Sequence, residues 1–303
     1  MIFGKKTKKK VIPVVLALND NYTIPTTVCI YSILEKTKSF IHFFLLADGV
    51  TSEHKKQIKK AMERFENCKL SFVDMKRYDL QRFPNLFHFS TSAYSRFFIP
   101  EICKKYDKVI YTDADCIFMG DIAKYYAIDL GNYGIAATVE EIGKEHEGIF
   151  NHRLRKKTFS IDESHLYFQS ANIIINCAYW RKYDITAKLV EKAIQYHDKL
   201  VAADLDAFNM VFANNYKKLH FKYGVTVHTH SKTEGNQEMI EGFQNPFIIH
   251  YAGAAKPWNT RFILFYQEFQ DVLAKVMAEL NKKTNQTKYK LFGVIPLLSI
   301  EDK

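Results

Sequence analysis

Cysteine is scarce. Five cysteines in 303 residues (Cys29, Cys68, Cys103, Cys116 and Cys177) exclude a fold built on disulfides, and their spacing fits no metal-binding motif, so reduced buried thiols are expected. Long apolar runs are also missing. The longest, such as residues 11–18, fall far short of the roughly 20 residues a membrane-spanning helix needs. That run passes into Asn19-Asp20-Asn21 with no small-residue cleavage site, so no signal peptide and a cytoplasmic chain are expected. The sequons at Asn21 and Asn285 would then go unused. There is no internal repeat, and no low-complexity tract apart from the lysines near the start. The 47% of hydrophobic residues exclude wholesale disorder. The length allows one large domain or two ordinary ones.

Acidic residues are outnumbered, 33 against 43 Lys+Arg, for a net charge of +10. Such a balance first suggests a nucleic acid or membrane partner. Its distribution argues otherwise. Residues 1–10 carry +5 and residues 281–303 carry +3. Only about +2 is left for the body, whereas a nucleic-acid domain spreads its charge over a folded face.

Apolar runs alternate with helical patterns. Strands are expected at residues 11–18, 41–47, 70–73, 108–112, 134–139, 172–176, 219–223 and 247–251. A helix is expected at residues 23–37, and an amphipathic one carries Ile58, Ala61, Met62 and Phe65. The alternation implies an α/β sheet with mostly parallel strands, whose ligands sit at the carboxyl ends of the strands. Residues 140–165 are charged and aperiodic, which suggests a long functional loop. Beyond Trp258, the positions Phe262, Phe265, Phe269, Val272, Val276 and Leu280 keep helical spacing, followed by a basic stretch and the apolar run 291–300. Three segments follow: a basic 1–10, a globular body 11–260, and a helical, basic and apolar 261–303.

Three constellations could carry chemistry. The first is Asp113-Ala114-Asp115, where an apolar strand delivers two carboxylates. In an extended chain both point the same way, and a cation between them would relieve their repulsion. Oxygen ligands suit Mg²⁺ or Mn²⁺. Two solvated acids at a strand end account for the same residues. The second is the stretch from His250 to Trp258, with a nitrogen ligand in His250, a permissive backbone at Gly253 and a point charge suited to phosphate in Lys256. An ordinary strand-to-loop junction is the alternative. The third is Asn19-Asp20-Asn21-Tyr22, which suits a base and ribose or is a plain turn. His228 and His230 form a His-x-His pair expected on a solvated strand face.

Together these blocks, with Ala93-Tyr-Ser-Arg96-Phe97, Tyr167-Phe-Gln169-Ser-Ala-Asn172 and Asp204-Leu205-Asp206-Ala-Phe-Asn209, resemble the family 8 glycosyltransferases of bacterial lipopolysaccharide and lipooligosaccharide synthesis. The likeness spans residues 11–258. It implies a GT-A nucleotide-diphospho-sugar transferase fold and transfer of galactose or glucose from a UDP-sugar, with retention and with Mn²⁺ (Mg²⁺ the alternative ion). By motif, Ala17, Asn19, Asn21 and Tyr22 would line the uridine pocket. Asp113, Asp115 and His250 would bind the metal, with Ala114 between them at the donor. Gly253 and Lys256 would hold the diphosphate. Arg96, Gln169 and Asp204 would contact the donor sugar and carry the chemistry, and His88 matches an acceptor-side position.

Four departures from the family pattern stand out. Asn19 replaces an Asp common among members. Gln169 replaces an Asn, which opens the identity of the sugar. Leu205 stands where the galactosyltransferases have a Gln considered as a nucleophile, and Ala252 replaces a Cys near the acceptor. Leu cannot attack, so same-face attack with the leaving phosphate oxygen taking the acceptor proton is the expected route. The acceptor would be a lipopolysaccharide, a lipooligosaccharide or another surface glycan, and no nucleic acid is expected as partner. The basic ends could rest on the anionic inner face of the cytoplasmic membrane. Two other readings are a haloacid-dehalogenase-like phosphatase, suggested by Asp113-Ala-Asp115, and a basic membrane-surface binding protein, suggested by the ends.

Overall fold

The chain was analysed as a computed structural model, which describes residues 11–86, 91–140, 151–233 and 235–282. The basic segment 1–10, His88 and the apolar run 291–300 lie outside the described residues.

Strand β1 (Val11–Asn19) is rich in Val and Leu because both its faces are covered. Val14, Leu16 and Leu18 face one core, and Val15 faces another. Helix α1 (Thr23–Lys36) follows, with Pro25 in the first turn, where no intrahelical bond is lost. Next come β2 (Phe40–Asp48), α2 (Ser52–Met62) and β3 (Cys68–Asp74). The Thr51 hydroxyl caps α2 by accepting from the His54 amide at 3.2 Å, and Lys59 and Lys60 sit in its last turn, where the helix dipole favours cations.

After the short α3 (Ile99–Ile102), β4 (Lys108–Thr112) enters the sheet centre. Strand β5 (Cys116–Phe118), α4 (Ile122–Tyr126), β6 (Ile135–Val139), α5 (His152–Thr158), β7 (Phe168–Asn176), α6 (Cys177–Lys182) and α7 (Ile185–Gln195) succeed it. Helix α8 (Asp204–Val211), β8 (Lys217–Leu219), β9 (Val225–Thr226), α9 (Gln237–Gln244), β10 (Ile248–His250) and α10 (Tyr266–Asn281) complete the described chain.

The main sheet runs β3-β2-β1-β4-β7-β6-β8. Strand β7 is antiparallel to both neighbours and every other pairing is parallel. Strand order reverses between β1 and β4, and a crevice opens beyond the carboxyl ends of strands at such a point. Because β7 runs the other way, its start, not its end, reaches that crevice. A second sheet, β5-β10-β9, lies beside the first. The chain changes sheets between β4 and β5, across residues 113–115.

Several expectations change. Residues 219–223 are not a strand: β8 ends at Leu219, and a 3₁₀ turn spans Phe221–Gly224. His228 and His230 are exposed on a 3₁₀ turn, Val227–Lys232, rather than on a strand face, because β9 stops at Thr226. The segment 140–165 is not all loop. Among its described residues α5 forms, capped by the Asn151 side chain accepting from the Leu154 amide at 2.9 Å, and it buries Arg155. The last helix starts at Tyr266, after Phe265 takes a left-handed conformation (φ 60°), which leaves Phe262 84% exposed. Phe65 lies beyond the end of α2, yet its ring packs edge-on against Tyr31 at 5.1 Å. Helix α10 buries Phe269, Val276 and Leu280 in the same core as α1 and α2. None of the described helices is long and apolar enough to cross a membrane.

Leu16 has no exposed surface at the centre of β1. Leu16→Ala is expected to lower the unfolding free energy by about 2–5 kcal/mol, read as a lower urea midpoint with an unchanged denaturant slope.

Candidate active site

The Asp113-Ala-Asp115 carboxylates are not presented by an extended strand, as alternation would have it. Strand β4 ends at Thr112, and Ala114 and Asp115 form a turn into β5. The turn is held from two sides. The Asp113 amide donates to the Ala171 carbonyl of β7 at 2.8 Å, and the Asp115 carbonyl accepts from the Tyr251 amide at 3.0 Å. Ala114 is buried between them. His250 pairs directly opposite Cys116 across the antiparallel β5–β10 ladder, so its ring lies on the carboxylate side. Its Nε2 is 3.5 Å from Asp115 Oδ1 and 3.9 Å from Asp113 Oδ2. One oxygen of each carboxylate thus lies within 4 Å of the same imidazole nitrogen.

Cations surround this group. Lys256 Nζ donates to Asp115 Oδ2 at 2.5 Å and to the Tyr251 carbonyl at 2.6 Å. Burial alone would push the Asp115 carboxyl up, but His250 and Lys256 together hold it well below the usual carboxylate range. Arg96, itself 6% exposed, comes from the 3₁₀ segment Thr91–Phe98. Its Nη2 donates to Asp113 Oδ1 at 3.0 Å, and its Nη1 donates to the Ser170 carbonyl and hydroxyl at 3.1 and 3.2 Å. The same Nη1 is 3.1 Å from Asp204 Oδ2. The guanidinium stacks 4.4 Å from the centre of the Tyr111 ring, whose hydroxyl donates to Asp113 Oδ1 at 2.6 Å.

Asp204 opens α8, and burial, with Asp113 nearby, raises its carboxyl to about 6 despite Arg96. Gln169 lies near the start of β7 and donates from Nε2 to the Gly224 carbonyl at 3.0 Å. A Cβ at 224 would lie 3.0 Å from Gln169 Oε1 and 3.1 Å from the Thr138 hydroxyl, a tight contact that those side chains would have to yield to. Asn19 Oδ1, Gln169 Oε1 and His250 Nδ1 are buried and have no hydrogen-bond partner among the described residues, whereas Asp204 Oδ2 has its ion pair with Arg96. Buried polar atoms are nearly always satisfied, so three such atoms on residues of one region point to ligand groups.

The remaining candidates divide. Tyr22 packs edge-on against Trp258 at 5.9 Å, and Lys256 lies 5.7 Å from that indole, so these three stand together beside Asp115. Ala17 is half-buried near the end of β1, and Asn21 is exposed. Gly253 is exposed, with φ +88° and open space around it, a turn conformation that glycine adopts freely.

Several residues around the site escaped the sequence reading. Tyr111 had a legible signal, since it shares a strand face with Asp113 by alternation. Asp20 looked like part of a plain turn, but its Oδ1 accepts from the Thr51 amide at 2.9 Å and from His54 Nδ1 at 2.6 Å, tying the loop after β1 to the start of α2. Cys116 carried no motif. Its Sγ and ligand atoms of Asp115 and His250 lie within 4.8 Å of one another. Burial pushes that thiol far up, and a soft sulfur suits a hard divalent cation less well than carboxylate oxygens do.

The family profile described as Glycosyl transferase family 8 matches residues 13–261. "Glycosyltransferase GlyA" of Streptococcus pneumoniae serotype 4 is 28% identical over 271 residues, which are 87% of this chain and 34% of that protein. "Lipopolysaccharide 1,2-glucosyltransferase" of Escherichia coli is 25% identical over 250 residues, 80% of this chain and 71% of that protein. The chain therefore spans about a third of GlyA's length. Among solved structures, the galactosyltransferase LgtC in complex with donor and acceptor sugar analogues superposes with a TM-score of 0.75 at 22% identity, covering 87% of this chain and 95% of that one. The likeness establishes the GT-A fold: a mostly parallel central sheet flanked by helices, with a C-terminal helix.

The raised Asp204 carboxyl has a consequence for stability. The folded protein holds this proton more tightly than the unfolded chain. The contribution is therefore complete below the ordinary value of 3.8 and is lost as pH rises through about 6, a loss of about 3 kcal/mol. Asp204→Asn does not ionise. In metal-free buffer its unfolding free energy, relative to the unsubstituted protein, is expected to rise by about 1–3 kcal/mol between roughly pH 4 and pH 7.5. Urea titrations at both pH values measure it, and an unchanged difference would contradict the assignment.

Proposed function

The chain belongs to glycosyl transferase family 8, and from that premise we propose that it transfers a hexose, galactose or glucose, from a UDP-sugar to a saccharide acceptor with retention of configuration. The observation that carries this reading is the approach of Asp113 Oδ2 and Asp115 Oδ1 to His250 Nε2, at 3.9 and 3.5 Å, at the carboxyl end of β4, where strand order reverses. Family membership sets aside the phosphatase and binding-protein alternatives.

Two carboxylate oxygens and an imidazole nitrogen suit a hard divalent cation. These residues would hold Mn²⁺, with Mg²⁺ the alternative, and the ion would neutralise charge on the departing diphosphate. Lys256 supplies a second positive charge beside Asp115 and is the group to meet diphosphate oxygens, with the turn at Gly253 leaving its backbone open to them. Asn19, Asn21, Tyr22 and Ala17, at and after the end of β1, would receive uridine.

Gln169 presents a buried oxygen without a partner, as a sugar hydroxyl would require, and Asp204, its carboxylate braced by Arg96, would meet a second hydroxyl. Arg96 is committed to Asp113, Ser170 and Asp204, so its role is to fix those carboxylates rather than to move. Among the described residues next to Asp204, neither Leu205 nor Asp206 is free to attack a sugar. Leu205 has no reactive group, and Asp206 is fully buried with both oxygens occupied. Same-face attack fits this arrangement: the acceptor oxygen bonds to the anomeric carbon as the phosphate oxygen leaves, and that oxygen takes the acceptor proton. A glycosyl adduct on Asp204, Asp206 or Gln169, found by mass spectrometry, would overturn this route.

The acceptor we propose is a lipopolysaccharide, a lipooligosaccharide or another cell-surface glycan. The likeness to the Escherichia coli lipopolysaccharide glucosyltransferase supports it. Residues 11–260 would act as the catalytic unit. The basic ends, residues 1–10 and 281–303, would bring it to the inner face of the membrane, at about 1 kcal/mol per well-placed Lys.

The test is a screen of UDP-Gal, UDP-Glc, UDP-GalNAc and UDP-GlcNAc with Mn²⁺, scored by UDP release. UDP-Gal or UDP-Glc is expected to respond, and Asp113→Asn or Asp115→Asn to lower the rate by about 10²-fold or more. Silence toward every UDP-sugar sinks the proposal. For the membrane role, removing both basic ends is expected to abolish co-sedimentation with anionic vesicles, and undiminished binding would refute it.

A further inference from the structure

Asp204 follows a backbone position that its residue does not favour. Ala203 has φ 48° and ψ −122°, the conformation of the first central residue of a type II′ turn, where glycine is usual. The Leu205 amide closes that turn on the Ala202 carbonyl at 3.0 Å. Strained conformations of this kind persist only where the surroundings over-determine them.

Here the surroundings converge on one carboxylate. Asp206 has no exposed surface. Its Oδ2 accepts from the amides of Val201 and Ala202, both at 2.9 Å. Its Oδ1 accepts from the Tyr167 hydroxyl at 3.0 Å and from Arg155 Nε at 2.8 Å, with Arg155 Nη2 on the same oxygen. Five donors leave it no lone pair for a sugar. Arg155 comes from α5. Its guanidinium lies 4.2 Å from the centre of the Tyr167 ring, two residues before Gln169. Removing that cation would leave a buried carboxylate unpaired.

We propose that Arg155 is a positioning residue for the donor-sugar side of the site. It holds Asp206, Asp206 fastens the two amides that lead into the strained turn, and the turn sets Asp204 against Arg96. The function of the clamp rests on the glycosyltransferase reading above, while the clamp itself is a property of the ligand-free chain.

Arg155→Met is the principal variant, and Arg155→Lys, which keeps the charge, is the second should the first fold poorly. In the ligand-free full chain, amide hydrogen exchange across residues 201–206 is expected to quicken by about tenfold or more in Arg155→Met, with β1, β2 and β4 staying protected. Arg155→Lys should fall between. With Mn²⁺ and whichever of UDP-Gal or UDP-Glc the protein uses, kcat should fall by about tenfold or more. The affinity for UDP alone should change by less than about twofold, because the clamp does not touch the end of β1. Ala203→Gly added to Arg155→Met should recover part of the rate, since glycine holds the turn unaided. Unchanged exchange at 201–206 in both Arg155 variants overturns the proposal. So does a loss of UDP affinity and thermal stability together with kcat that Ala203→Gly does not relieve, which would make Arg155 a general core support. If no UDP-sugar is turned over by the unsubstituted protein, the enzymatic reading fails, and the exchange data still decide the clamp.

Discussion

A single buried guanidinium joins the parts of this site. Arg96 meets Asp113 from the end of β4, Ser170 from the start of β7 and Asp204 from the start of α8, three elements far apart in the chain. Two carboxylates cannot share an interior without compensation. Removing such a cation leaves buried charge unpaired, which costs about 3–5 kcal/mol in comparable pairs. The crevice exists in this form because that charge is balanced.

The balance is incomplete, and the imbalance bears on chemistry. Asp113, Asp115 and Asp204 face Arg96 and Lys256, so three acids stand against two permanent cations. The structure distributes this unevenly. Asp115, beside Lys256 and His250, is held strongly ionised, whereas Asp204, more desolvated and facing Asp113, titrates near 6. One end of the crevice is thus suited to a divalent cation and a diphosphate. The other is suited to neutral hydroxyl groups. That gradient agrees with the proposed placement of nucleotide and sugar, and the clamp at Asp206 belongs to the sugar end.

Much of the architecture was readable from alternation and periodicity. Strands β1 and β4 are buried on both faces, so their apolar runs are unbroken, and they emerge where the runs lie. The errors share a cause. The strand expected at residues 219–223 and the extended Asp113-Ala-Asp115 both failed at points where the chain turns between sheets, and local pattern does not record which sheet a residue joins. Helix α5 was unreadable because its buried residues are charged: Arg155 is interior only because Asp206, some fifty residues later, is there to meet it.

The sequence by itself determined which chemistry is available: carboxylates after an apolar strand, a histidine and lysine after another, and the order of blocks that resembles family 8 glycosyltransferases. Those are properties of residue type and spacing, carried in the linear chain. Only the tertiary structure decided that His250 faces Asp115 through the β5–β10 pairing, that Arg96 is a brace between two acids, Asp113 and Asp204, and that Asp206 is locked by five donors. Each depends on long-range contact and on the loss of water around a charge. Neither exists until the sheets have assembled.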